Sequence, residues 1–122
     1  IWASGIGGLG TLEKEVEEHV LGSGVPKHNP FLIPKMISDI AAGLISIQYG
    51  FRGINYCTVS ACASSSHALM NAFDYIRLGK ADIIVTGGSE ATITKTAVGG
   101  FNSMKALSER NDDFASASRP FD

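Results

Sequence analysis

The chain has 122 residues, 44% of them hydrophobic and 18% charged, with a formal charge of −2; that suffices for one domain with a real core and is too short for two. So even a charge balance gives no electrostatic footing on nucleic acid, and no apolar run reaches the length of a bilayer span. Cys57 and Cys62 are the only cysteines, which excludes a disulfide framework and a four-cysteine metal site and makes a reducing, cytoplasmic setting the expectation.

The chain opens on Ile1 and stops at "SRPFD", so it reads as a piece of something longer. "IWA" (1–3) reads as the tail of a buried strand, followed by the glycine-rich turn "SGIGGLG". In "TLEKEVEEHVLG" (11–22), Leu12, Val16 and Val20 recur at four-residue spacing among glutamates, which predicts an amphipathic helix stopped by Gly22 and Gly24. "VPKHNPFLIP" (25–34) holds three prolines in ten residues and predicts an extended loop. "KMISDIAAGLISIQYG" (35–50) predicts a second helix, apolar on most sides and therefore buried.

"INYCTVSA" (54–61) is rich in β-formers and of strand length. "SSSHALMNAFDYIRLG" (64–79) sets Ala68, Ala72 and Tyr75 or Ile76 on one helical stripe that Gly79 ends. "ADIIVTGGSE" (81–90) predicts a buried strand that breaks at paired glycines. "TKTAVGGFNSMKAL" (94–107) predicts a glycine-interrupted helix, and the tail from Ser108 is irregular. Strand 54–61, helix 64–78 and strand 82–87 form a βαβ unit, so parallel strands with a right-handed crossover are expected. The fold class is α/β.

"GIGGLG" (5–10) fits the G-x-G-x-x-G template between a strand and a helix, as in a dinucleotide-binding module built on Gly5, Gly7 and Gly10. That module also needs an acid at a strand end about 20 residues later. The region in question, "VPKHNPFLIP", has no acid and is too rich in proline for a central strand. A tight strand-to-helix turn is the better account.

His19, on the charged helix, is expected to be solvated, and His28 in the proline loop has no second ligand in view. His67 follows Cys62 by five residues, which on a helix leaves it about 140° around the axis. It does not easily reach the thiol as a base and reads as a packed, hydrogen-bonded histidine. No metal site emerges from three scattered histidines.

Cys57, inside the strand, behaves as a small hydrophobe. Cys62 sits where the free N–H groups and dipole of the next helix favour a thiolate, and those groups can also stabilise an oxyanion. Its neighbours Ala61, Ala63, Ser64 and Ser65 are small, so an acyl group can approach. Thiolate catalysis needs an acid or base and a second oxyanion donor as well, and the chain supplies neither. On geometry alone, nucleophile and inert thiol both stay open.

"VSACASSSHA" (59–68) closely resembles the active-site segment of the elongating β-ketoacyl-acyl carrier protein synthases of fatty-acid synthesis, the synthase II type above all. "SGIGGLG", "YGFRGIN", "GKADIIVTGGSEA", "GGFNSMKALSERND" and "ASRPFD" resemble the same family in the same order. The resemblance implies part of a thiolase-like layered αβαβα fold, namely the N-terminal half that carries the nucleophile, in a homodimer whose contacts include the strand ending at Cys62. It implies that Cys62 accepts an acyl chain as a thioester and gives its backbone N–H to the oxyanion hole. Malonyl-carrier then loses carbon dioxide and condenses with that thioester.

By the same resemblance Ile6, Leu32 and Phe101 belong to the acyl pocket; several members carry an aromatic at the Leu32 position, so chain-length preference is not legible. Lys27 and Lys105 match basic positions that meet acyl carrier protein, with two ordinary solvated lysines as the other reading. No cofactor or metal is implied, because the substrates ride on the carrier's phosphopantetheine. Two histidines and a lysine of the family's second half have no counterpart here, so this chain alone is not expected to elongate anything. A polyketide-type ketosynthase would share Cys62 and its glycines. A non-enzymatic fragment with a dimerisation or carrier-binding surface is the remaining alternative.

Overall fold

The computed structural model describes residues 1–25 and 27–121. Pro26, one of the three loop prolines, and Asp122, which ends the "ASRPFD" motif, lie outside them. The chain forms two compact units, Ile1–Thr92 and a second from Ile93 onward.

In the first unit, β1 (Trp2–Ala3) leads through the glycine turn to α1 (Leu9–Leu21), then α2 (Leu32–Met36) and α3 (Ile40–Tyr49). A 3-10 turn at Ala61–Ala63 runs into α4 (Ser64–Arg77), and β2 (Gly87–Gly88) follows. β1 and β2 pair in parallel, Trp2 with Gly87 and Ala3 with Gly88. Ser89 N–H donates to Ala3 O at 3.0 Å and extends the contact.

α4 packs on this ribbon through its small residues. Ala68 is fully buried and Ala72 is 4% exposed, and with Ile1 and Ala3 they form the core, ringed by Ile54, Tyr56, Tyr75 and Ile84. Alanine at these places lets helix and ribbon approach closely. Gly79, at φ +65°, ends the helix as its composition predicts.

The β pairing differs from expectation. Segment 54–60 is no ladder strand and makes one backbone bond to β1, Trp2 N–H to Tyr56 O at 3.2 Å. β1 has only two residues and its other edge serves β2, so it offers segment 54–60 a single donor. The expected strand 81–90 likewise contracts to Gly87–Gly88. Parallel pairing does occur, but between β1 and β2 rather than between 54–61 and 82–87.

The long second helix is also split. α2 starts at Leu32, within the segment expected to be loop, and takes Pro34 in its first turn, where proline loses no helical bond. It stops because Met36 C=O accepts from Gly8 N–H at 2.8 Å instead of continuing the helix. α3 was expected to be buried, yet only Ala42 is; Leu44, Ile47 and Tyr49 are exposed. The stripe Leu12, Val16 and Val20 on α1 is exposed too.

The second unit holds α5 (Lys95–Ser103), whose first turn is capped where Thr94 Oγ1 accepts from Ala97 N–H at 3.2 Å. The helix ends four residues short of expectation, and Lys105 follows at φ +54°. A second 3-10 turn covers Phe114–Ser116 within the polar tail.

Candidate active site

The approach to Cys62 is strained and clasped. Ala61 sits at φ +49°, a left-handed conformation that costs a non-glycine residue roughly 1–2 kcal/mol. Ser64, 5% exposed, holds it there. Its hydroxyl accepts from Ser60 N–H at 2.8 Å and donates to Ala61 O at 2.7 Å. Thr58 Oγ1 donates to Ser64 O at 2.9 Å, and Ala63 N–H to Ser60 O at 3.0 Å.

The result is a sharp turn that presents Cys62 on the surface. Its N–H falls in the first turn, where backbone donors have no intrahelical acceptor, and none is found for it among the described residues. An exposed thiol beside a free backbone donor can attack a carbonyl and hold the oxyanion that forms.

Cys57 is different. It is half-buried, with its thiol toward Thr58 O at 3.5 Å and Ser4 O at 3.9 Å. Iodoacetamide should therefore label Cys62 well ahead of Cys57 in the folded protein, as read by peptide mass mapping. Ser64→Ala should cost about 1–3 kcal/mol by stranding the Ser60 and Ala61 groups, and it should narrow that gap. Equal labelling of the two cysteines in the unsubstituted protein would contradict the exposure argument.

His67 is hydrogen-bonded, as expected, through Nδ1 and Ser60 Oγ at 2.7 Å. It is exposed rather than packed, because the buried face of α4 is given to Ala68 and Ala72. His19 and His28 correct the reading more firmly. The loop folds back on α1 because Glu15 Oε2 accepts from Asn29 N–H at 3.0 Å and lies 3.3 Å from His28 Nδ1. That brings the two imidazoles to 5.7 Å and buries His19 Nδ1 without a partner among the described residues. No three His, Cys, Asp or Glu side chains among the described residues are placed to hold a metal ion. No helix among them is long and apolar enough to cross a membrane.

The glycine motif has an occupant that sequence reading missed. Glu90 accepts from the N–H groups of Gly5, Ile6 and Gly7 at 2.6, 2.9 and 3.2 Å, and from Ser4 Oγ at 3.2 Å. These are the donors a dinucleotide pyrophosphate would need, and a carboxylate already fills them. The clue in the sequence was an acid two residues beyond Gly88, just past the end of a strand; that this strand lies beside β1 and so brings the acid to the turn after β1 is shown by the fold alone.

The other expected site residues fall in both units. Ile6 is exposed on the Glu90-bound turn, and a Cβ on the adjacent Gly5 would lie 3.7 Å from Ala61 O, so this turn flanks that of Cys62. Leu32 opens α2, whose backbone abuts the same turn at Gly7 and Gly8. Lys27 is exposed between α1 and α2. Phe101, on α5, and Lys105 belong to the second unit, where both are exposed.

Residues 2–122 match the sequence model of the β-ketoacyl synthase N-terminal domain. The chain is 47% identical over 119 residues to 3-oxoacyl-[acyl-carrier-protein] synthase 2 of Synechocystis, covering 98% of this chain and 28% of that one. It is 42% identical over 122 residues to the protein of the same name from Staphylococcus aureus, with coverage of 99% and 30%. The chloroplastic 3-oxoacyl-[acyl-carrier-protein] synthase I of Hordeum vulgare is 43% identical over 119 residues, with coverage of 98% and 26%. A crystal structure of a β-ketoacyl synthase from Burkholderia phymatum superposes with a TM-score of 0.81 at 28% identity, over 99% of this chain and 29% of that one. The chain spans under a third of the length of each of these proteins.

Proposed function

The chain belongs to the β-ketoacyl synthase N-terminal domain family, and from that premise we propose that the protein carrying it is a condensing enzyme of fatty-acid synthesis with Cys62 as its nucleophile. The observation that carries this reading is the exposed thiol on a turn clasped by Ser64, with its own N–H left without an acceptor.

The Cys62 sulfur attacks the thioester carbonyl of an acyl chain borne by acyl carrier protein, and the carrier's phosphopantetheine thiol leaves. The oxyanion of the tetrahedral intermediate takes a hydrogen bond from Cys62 N–H. Malonyl-carrier loses carbon dioxide, its carbanion attacks the Cys62 thioester, and collapse returns the thiolate and a 3-oxoacyl carrier. No resident cofactor enters these steps. Within the first unit, Ile6 and Leu32 line the acyl path and Lys27 meets the acidic carrier. The working assembly is a homodimer in the cytoplasm, with decarboxylation served by residues outside this chain.

Full-length protein supplied with acyl- and malonyl-carrier should release one carbon dioxide per 3-oxoacyl carrier formed. Decarboxylation without a 3-oxoacyl product, in a protein with Cys62 intact, would count against a condensing role.

A further inference from the structure

The glycine turn is held by one carboxylate from a distant part of the chain. Glu90 lies 83 to 86 residues from its four donors, and its two oxygens divide three backbone N–H groups and the Ser4 hydroxyl between them. Among the described residues no cation pairs with Glu90, so the converging N–H dipoles are what balance its charge. Other groups fix the turn's neighbours. Met36 O accepts from Gly8 N–H at 2.8 Å behind it, and a Cβ on Gly5 would stand 2.9 Å from Glu90 Oε2 and 3.7 Å from Ala61 O. The carboxylate therefore lies between β2 and the turn, and the turn lies against the residue that precedes Cys62.

We propose that Glu90 is a positioning residue for acyl loading: its carboxylate sets the 5–7 turn, and with it Ile6, against the Cys62 turn. The inference rests on the reading of Cys62 as the acyl-accepting thiol. Without the carboxylate, three N–H groups lose the acceptor group they share and the turn opens toward water. Ile6 is 48% exposed on that turn, so the turn's own backbone does much to set where it stands. The consequence falls on how the acyl chain is received and leaves the sulfur intact. Glutamine is a poor substitute, since its amide N–H₂ would face N–H donors.

The test uses the full-length protein, its Glu90→Gln and Glu90→Ala variants, and two donors, acetyl-carrier and a long-chain acyl-carrier. Loading of Cys62 is followed by mass spectrometry. For Glu90→Gln, kcat/KM for long-chain loading should fall about tenfold, in keeping with lost charge-assisted bonds. The loss should lie mainly in KM, with acetyl loading affected less. In Glu90→Ala, sodium acetate should restore several-fold of the lost long-chain loading by placing a carboxylate among the three N–H groups, and sodium chloride at equal ionic strength should not.

Unchanged long-chain loading in Glu90→Gln would overturn the proposal. So would an equal loss for both donors with no acetate effect, and so would variants that fail to fold, since each makes Glu90 a residue of general stability. Wild-type protein run alongside separates the two levels. If it loads no acyl group on Cys62, the functional reading falls and this inference with it; if it loads normally and the variants match it, only the role of Glu90 is lost.

Discussion

Cys62→Ser in the full-length protein should lower condensation by at least about a thousandfold while the fold is retained. Serine keeps the shape but gives an alcohol, which has no anionic form of consequence near neutral pH and is a far weaker nucleophile than a thiolate. His67, the one imidazole close in sequence, is held by Ser60. The exposed turn and the free backbone donor would remain, so the loss isolates the sulfur from its setting. Cys57→Ser is the matched control. That thiol is half-buried against Ser4 and Thr58 carbonyls, so the substitution should cost some stability and leave condensation in place. Loss of activity in both variants would mean that the segment responds to packing and not to a nucleophile.

Gly8→Ala should be strongly damaging. A Cβ there would stand 2.2 Å from Lys35 O and 2.8 Å from Met36 Cα, and both are main-chain atoms of α2 that no side-chain rotation can clear. The turn and α2 would have to separate, losing the Gly8–Met36 hydrogen bond, at a cost of about 1–3 kcal/mol or more. The same substitution at Gly43 should have the opposite sign. Gly43 lies inside α3 with nothing within 4 Å of a new Cβ, so alanine gains about 0.5–1 kcal/mol of helix propensity. Urea unfolding of both variants checks the pair. A tolerated Gly8→Ala would show that α2 does not bear on the glycine turn.

The contrast between these glycines also shows what was legible in the sequence. α1 and α4 could be read because apolar spacing and glycine stops are local signals, and the Ala68–Ala72 stripe is buried as its spacing implies. The division of the second helix was not legible. It depends on Met36 C=O being claimed by Gly8 N–H, a bond between residues far apart in the chain. The strands failed for a similar reason. β-rich composition at 54–61 says that a segment is fit to pair, but a ladder needs a partner of matching length, and β1 has two residues.

At the site, small residues at a strand-to-helix junction marked Cys62. The left-handed Ala61 and the Ser64 clasp left no trace in composition. Glu90 was the largest omission. A glycine-rich motif reads only as a tight turn until the fold brings a carboxylate into it from more than eighty residues away.

The most direct measurement is intact-mass spectrometry of the full-length protein before and after incubation with acyl-loaded carrier protein, followed by peptide mapping. One acyl adduct on the peptide that contains Cys62, absent from Cys62→Ser, is the predicted result. A protein that gains no acyl mass, or carries the adduct on another residue, would contradict the assignment of Cys62 as the nucleophile.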